Sequence, residues 1–197
     1  MKNTNFGFMV SKIKIVPYDP AWAEAFEREY RQLEARLESM LVRVEHIGST
    51  AVEGLGSKPI IDILIGINGQ EALNSVAEPL LDMGYCYYPC YEMKIPERRF
   101  FARLQQLQRK VFEDVGQIPA HEAFPHTHHL HVVVYGSPFW KRHLAFRDYL
   151  RTHSIARDAY HRLKVKLANE TWESGNDYAE AKTGFIRNIE WLMGLSS

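Results

Sequence analysis

The stretch Val44–Ile67, VEHIGSTAVEGLGSKPIIDILIGI, constrains the chain more than any other. Val44–Ile47 is a short β-prone run, and Gly48-Ser49-Thr50 breaks it. Gly54 and Gly56 tighten the loop that follows, and Pro59–Ile67 is then apolar except for Asp62. A carboxylate inside such a strand is costly to bury, so it needs a partner, a metal or a strand end open to solvent. Backbone N–H groups and two hydroxyls in the Gly-Ser-Thr turn can cradle an anion. Together these features predict one small polar cleft, faced by Ser49 and Asp62, that takes a phosphate and a cation.

The elements around this unit follow from periodicity and punctuation. Ile13–Val16 reads as a short edge strand stopped by Pro17. Asp19 and Pro20 form a helix start, and Trp22, Phe26, Tyr30, Leu33, Leu37 and Met40 recur at three- and four-residue steps, which predicts a helix over 21–41. Its other face, with Glu24, Arg28, Arg31, Glu34 and Arg36, is a solvated surface. A second helix is expected over 70–83, kinked or ended early by Pro79 and terminated by Gly84. Tyr85–Tyr88 and Arg98–Leu104 read as paired strands, 104–116 as a short helix ending at Gly116, and 118–128 as a loop placed to serve as a lid. His129–Tyr135 is a strand. Ser137 and Pro138 open a helix over 139–153. Ser154 caps a helix to about Trp172 with Ile155, Tyr160, Leu163 and Leu167 inward. Asn176 or Asp177 caps a last helix with Tyr178, Ala181, Phe185, Ile189 and Leu192 at helical spacing. The order predicts an α+β fold, a small mixed β-sheet flanked by helices. A single domain over 1–197 is expected, with a core over about 11–136 and a helical part over about 137–195.

Composition narrows the function classes. Lys plus Arg (24) equals Asp plus Glu (24), so net charge carries no signal for nucleic acid or a membrane surface. No apolar run is long enough to cross a bilayer. Cys86 and Cys90 are too few for a disulfide framework, and without a leader segment they imply a reduced, cytoplasmic protein. Oligomeric state is not readable.

Three groups carry chemistry. Asp62 can hold Mg²⁺ or Mn²⁺, which favour one or two carboxylates with substrate phosphates and water, and Lys58 can pair with Asp62 or with phosphate. His126, His128, His129 and His131 lie within six positions. His129 and His131 fall two apart on one strand face, able to bind Zn²⁺ or to act as acid and base, with Asp62 or Glu45 as a third ligand. Arg98 and Arg99 are phosphate candidates because guanidinium presents a planar fork. Arg147, Asp148, Lys164 and Lys182 read as ion pairs that lock helices together, with the alternative that they line the cleft.

VPYDPAW, HIGSTAVEGLGSKPIIDILIGI, RRFF, HHLHVVVYGSPFW and HLAFRDYLR, with a closing Y-x-x-L-K and K-x-x-F-I, resemble the GrpB family over roughly Ile13 to Leu192. The resemblance implies a nucleotidyltransferase-like core, in which a Gly-Ser pair follows the first core strand and an acid-x-acid motif lies on the next. Gly48-Ser49 fills the first element and Asp62 the first acid, but the second acid position holds Leu64. A later acid would fall near His131–Val134, where His131 and valines stand. The implied function is binding of a nucleotide or phosphorylated small molecule, with metal-dependent nucleotidyl transfer through a degenerate acidic motif, or a catalytically inactive scaffold. In that assignment Gly48, Ser49, Thr50, Lys58 and Arg99 hold phosphate. Asp62, His129 and His131 hold the metal, and Asp62 and His131 are catalytic.

Overall fold

A computed structural model of the chain describes residues 13–172 and 175–195. Helix α1 (Ala21–Leu37) opens where Asp19 Oδ1 accepts the Ala21 N–H at 2.9 Å, while Pro20 already has helical geometry. Trp22, Leu33 and Leu37 are its buried stripe. The helix ends short of Leu41, at Glu38, whose φ of 21° breaks the spiral, and a 3₁₀ turn leads directly into β1 (Leu41–Ile47). After a 3₁₀ turn at Ser49–Ala51 comes β2 (Ile61–Ile67). The next helix is two short ones, α2 (Gly69–Ser75) and α3 (Ala77–Asp82). The break falls at Val76, which leaves Pro79 in the first turn of α3, where its missing N–H has no intrahelical partner to lose. Gly84, with φ +86°, closes α3.

Strands β3 (Cys86–Tyr87), β4 (Arg98–Leu104) and β5 (His126–Val134) complete a mixed sheet in the order β1-β2-β5-β4-β3. The β2–β5 pair is parallel and the other pairs are antiparallel. Four helices follow: α4 (Pro138–Thr152), α5 (Ser154–Ala168), α6 (Gly175–Glu180) and α7 (Thr183–Leu192). Ser137 caps α4 by accepting the Trp140 N–H. The fold is α+β, with helices on both faces of the sheet.

The two faces differ in kind. Ile61, Ile63, Ile65, Ile67, Phe101, Leu130 and Val132 pack with Leu33, Leu37, Leu73 and Leu80 of α1–α3 into the main core. The other face carries Asp62, Leu64, His129, His131 and Phe100. At one end of it Ile47, Leu64 and Val133 pack beneath Phe139 and Trp140 of α4. A Cβ at Gly66 would stand 2.8 Å from the Trp140 ring, so only glycine lets α4 settle this close. Arg147 locks α4 to β1, donating to Glu45 at 2.8 Å, to the His46 carbonyl at 3.0 Å and to Asp148 at 2.8 Å. The ion pairs between helices read from the sequence are corrected: Arg147 ties α4 to a strand and to its own neighbour Asp148, and Lys164 and Lys182 make no ion pair among the described residues.

Several expected elements differ. Ile13–Val16 makes only a bridge from Val16 to Ser57. The 104–116 segment is not a helix. Lys110–Phe112 runs along β3 through Tyr87 N–H to Lys110 O and Phe112 N–H to Tyr87 O, at 2.8 and 2.9 Å. Phe112 is buried against Tyr88, and that anchor outweighs the helical spacing. Gln106 and Arg109 take positive φ to permit the path. On α5 the inward residues are Tyr160, Lys164 and Leu167, whereas Ile155 is 84% exposed. Ser154 is the first residue of α5 and does not cap it, and α5 ends at Ala168, short of Trp172. The expected last helix is broken between α6 and α7, and Leu192 lies outside.

Candidate functional site

Register builds the site. Asp62 stands opposite His129 across β2–β5, and Leu64 opposite His131, while Phe100 of β4 faces His131 from the other side. Strand alternation then puts Asp62, His129, His131, Phe100 and Arg98 on one face. Asp62 Oδ1 lies 3.1 Å from His129 Nδ1, and His129 Nε2 lies 2.9 Å from His126 Nδ1. The His121 ring follows at 5.1 Å from that of His126. The other oxygen of Asp62 rests against the turn after β1: a Cβ on Gly48 would be 2.4 Å from Asp62 Oδ2. Gly48 also holds φ +69°, so both space and backbone call for glycine there. The bend and the acid therefore meet at Gly48. Burial works to raise the Asp62 carboxyl, but the His129 hydrogen bond and the charges of His129, His131 and Lys58 hold it down at about 2.

The charge of this carboxylate is felt at three lysines. Lys58 comes from the loop before β2, Lys164 from α5, and Lys182 from the α6–α7 junction. Lys58 Nζ and Lys182 Nζ lie 5.4 and 4.4 Å from the centroid of the Tyr178 ring. Lys164 Nζ lies 5.2 Å from the centroid of the Tyr160 ring and donates to the Gly56 carbonyl. Burial lowers all three ammonium groups. Lys164, with Lys182 nearby, comes down to about 7, and Lys182, with Lys58 nearby, to about 8. Asp62 opposes the shift at each of them. None of the three makes an ion pair of its own with a carboxylate among the described residues. The Tyr178 hydroxyl, on a residue only 1% exposed, has no hydrogen-bond partner among the described residues.

A further cation sits along the same face. Arg98 packs on the Phe100 and Phe139 rings, at 5.2 and 6.0 Å, with Nη1 at 3.5 Å from His131 Nδ1. Its Nε is buried and unpartnered. His131 thus turns to Arg98 and towards His143, whose ring is 6.2 Å away, and burial holds His131 well below its usual value. Among the described residues the site thus sets several cations around a single carboxylate, with the Arg98 Nε and the Tyr178 hydroxyl left without partners.

The other sequence candidates are placed as follows. Ser49 is half-buried in its 3₁₀ turn. Thr50 is buried, its hydroxyl donating to the Ile60 carbonyl at 3.3 Å and meeting His46 Nε2 at 3.0 Å. It fastens the turn, and with Tyr18, Arg151 and Arg157 it borders a separate cavity of about 640 Å³. A Thr50 hydroxyl free to cradle phosphate is therefore corrected. Arg99 is corrected too. Alternation turns it to the opposite face, where it meets Glu92 at 3.2 Å, the Pro96 carbonyl at 2.9 Å and Asn74 at 3.2 Å. Arg98 is the arginine on the site's face. Glu45 is held by Arg147 and is no third ligand for the histidines. Among the described residues no three His, Cys, Asp or Glu side chains are arranged to hold a metal ion.

Lys164, Lys182 and their tyrosines are the residues that sequence reasoning underweighted. Tyr160 and Lys164, like Tyr178 and Lys182, stand four apart, which places each lysine beside an inward aromatic ring. That repeated aromatic–lysine spacing was the available signal.

Comparison with known proteins places this site in context. A family model described as GrpB protein matches residues 12–191. The chain is 33% identical over 179 residues to the UPF0157 protein YqkA of Bacillus subtilis, covering 91% of this chain and 46% of that one. It thus spans about half of YqkA. It is 30% identical over 187 residues to the glutamate-rich protein GrpB of Alkalihalophilus pseudofirmus, covering 93% and 97% of the two chains. The crystal structure of GrpB from Enterococcus faecalis superposes with a TM-score of 0.68 at 32% identity, covering 90% of this chain and 94% of that one. No helix among the described residues is long and apolar enough to cross a membrane.

Proposed function

The chain belongs to the GrpB family, and from that premise we propose that it binds the phosphate of a nucleotide or other phosphorylated small molecule between Lys58, Lys164 and Lys182, above Asp62. The observation that carries this reading is the pairing of Lys58 and Lys182 about the Tyr178 ring, with the buried Lys164 of α5 in electrostatic reach of the same Asp62, none of the three with a carboxylate partner of its own among the described residues. Burying unmatched ammonium groups destabilises an empty protein. A phosphate would neutralise them and give the Tyr178 hydroxyl an acceptor. In this reading lysines take the place that metal ions hold in a two-metal transferase, where paired carboxylates clamp the ions. Leu64, at the position of the second acid, is consistent with that substitution, and the donor set gives no support to metal-dependent nucleotidyl transfer.

Thermal melting tests the proposal, with sulfate, phosphate, pyrophosphate and a nucleotide panel, each with and without Mg²⁺. A ligand of the folded state at about one hundred times its Kd adds roughly 2.7 kcal/mol. For a chain of this size that moves Tm by roughly 5–10 °C. The shift is expected with anions alone, to be lost in Lys182→Ala and kept in Arg99→Ala. No shift with any anion, or a shift that survives loss of both Lys58 and Lys182, overturns the proposal.

A further inference from the structure

Arg98 stands on the same sheet face as Asp62 without a counter-charge. Arg98 and Phe100 are two apart on β4, so both side chains leave that face. The guanidinium carbon lies 5.2 Å from the centroid of the Phe100 ring and 6.0 Å from that of Phe139, close enough for the rings to hold a cation. Nη1 has His131 Nδ1 at 3.5 Å, and Nε is buried with no partner. Arg98 makes no ion pair among the described residues, and the nearby Glu92 is held by Arg99 at 3.2 Å and by the Tyr87 hydroxyl. The two rings thus fix the place of the guanidinium and leave its charge unmatched. Half-buried, such a charge destabilises the empty protein. Its planar fork is the group that takes a phosphate or carboxylate through two parallel hydrogen bonds.

Direct contacts tie this group to the rest of the site. The Phe100 ring lies 5.2 Å from the His129 ring, and His129 Nδ1 lies 3.1 Å from Asp62 Oδ1. From the helical side, Asn176 of α6 donates to the Tyr91 hydroxyl at 3.3 Å, and the Tyr91 ring lies 5.7 Å from the Phe100 ring. The helix that carries Tyr178, with Lys58 and Lys182 about its ring, is therefore seated beside the Arg98 strand. Strands β2 and β4 flank β5, which sets them about 10 Å apart at two strand spacings. Arg98 is level with Val133 and Asp62 with His129, which lengthens the diagonal, and packing on Phe100 brings the guanidinium part of the way back. A span of about 10–15 Å separates the two charges.

We propose that Arg98 is a second anion subsite, and that the ligand is a small molecule with two anionic groups at that separation: a phosphate above Asp62 among the lysines, and a phosphate or carboxylate on the Arg98 fork. This rests on the phosphate-binding reading above and narrows its substrate class. Inorganic phosphate, or a monophosphate with no second charge, fills half of the site. Arg98 is then a specificity-determining residue, held in place by Phe100 and Phe139.

Calorimetry on the full chain tests this, with hexyl phosphate set against the bisphosphates of butanediol, hexanediol, octanediol and decanediol. At least one bisphosphate is expected to bind about tenfold or more tighter than hexyl phosphate, as one added charge-assisted pair provides. In Arg98→Met, which keeps a stem of similar length, that preference should shrink to about twofold or less, because the second end finds no partner. Hexyl phosphate should bind this variant as it binds the parent, which shows that it is folded; Arg98→Gln serves if the Met variant does not fold. Lys182→Ala should weaken every ligand in the series. Phosphorylated hydroxyoctanoic acid, with a carboxylate at its far end, tells the two kinds of second group apart by which binds tighter. No preference for any bisphosphate, or a preference that survives loss of Arg98, overturns the second subsite and leaves the phosphate site standing. No binding of hexyl phosphate or of any bisphosphate to the parent overturns both.

Discussion

Replacing Lys164 by Met isolates the tension that the proposed site contains. Lys164 is 2% exposed and its ammonium is brought from 10.5 to about 7, chiefly by burial. One pKa unit corresponds to about 1.4 kcal/mol, so the charged form is disfavoured in the fold by about 5 kcal/mol. The sign follows from linkage. Between pH 7 and 10.5 the unfolded chain binds the proton that the folded one has released, so stability rises with pH across that window. The penalty is complete below 7 and gone above 10.5. Methionine removes it while filling similar space, and leaves the Gly56 carbonyl without its donor, at about 1–3 kcal/mol. The net expectation near about pH 6 is a gain of roughly 2–4 kcal/mol, a rise in Tm of order 10 °C. The gain should shrink steadily as pH rises towards that of free lysine. Melting curves of both proteins over this range, without ligand, read the difference directly. The same variant should lose most of its response to sulfate. A Lys164→Met protein that is less stable than the parent by the same amount at every pH would refute the reasoning, because Lys164 would then be a satisfied structural cation.

Three further outcomes follow. Sulfate has no proton to lose in the neutral range, so its affinity should fall as pH rises through about 7 and about 8, where Lys164 and Lys182 discharge, and binding should take up protons; calorimetry in buffers of different ionisation enthalpy measures both. Gly48→Ala should lower stability by about 1–3 kcal/mol and disturb the Asp62–His129 pair, since the new Cβ meets Asp62 Oδ2 at 2.4 Å in a left-handed backbone; urea unfolding measures the first and the imidazole NMR signals the second. Arg147→Met should cost about 3–5 kcal/mol in urea unfolding, because Glu45 loses the buried half of its pairing and the His46 carbonyl a donor.

How much of this was readable from residues depends on the range of the signal. The Ser137–Pro138 helix start rests on a contact within three residues and forms as expected, whereas the helix after Asp19 opens one residue later than read, with Pro20 at the cap and Asp19 Oδ1 accepting the Ala21 N–H. The shared face of His129 and His131 follows from strand alternation alone. The sequence pairs Ser49 with Asp62 across a cleft; the contact that the structure gives at this bend is between Gly48 and Asp62. Choosing between Arg98 and Arg99 was not possible without knowing which face of β4 turns to the site. That is decided by Phe101, which must join the core and so sends Arg99 with it. The path of 105–116 is a tertiary decision, made by burying Phe112 under Tyr88. Lys58 was readable beside the strand, whereas Lys164 and Lys182 were hidden because they come from α5 and the α6–α7 junction, more than a hundred residues after Asp62.

A structure of the protein soaked in sulfate tests the central claim most directly. The account predicts an anion between the ammonium groups of Lys58 and Lys182, within reach of the Tyr178 hydroxyl and on the Asp62 side of the sheet. An anion seated instead in the cavity lined by Thr50, Arg151 and Arg157, or no bound anion while the three lysines stay as they are, would contradict it.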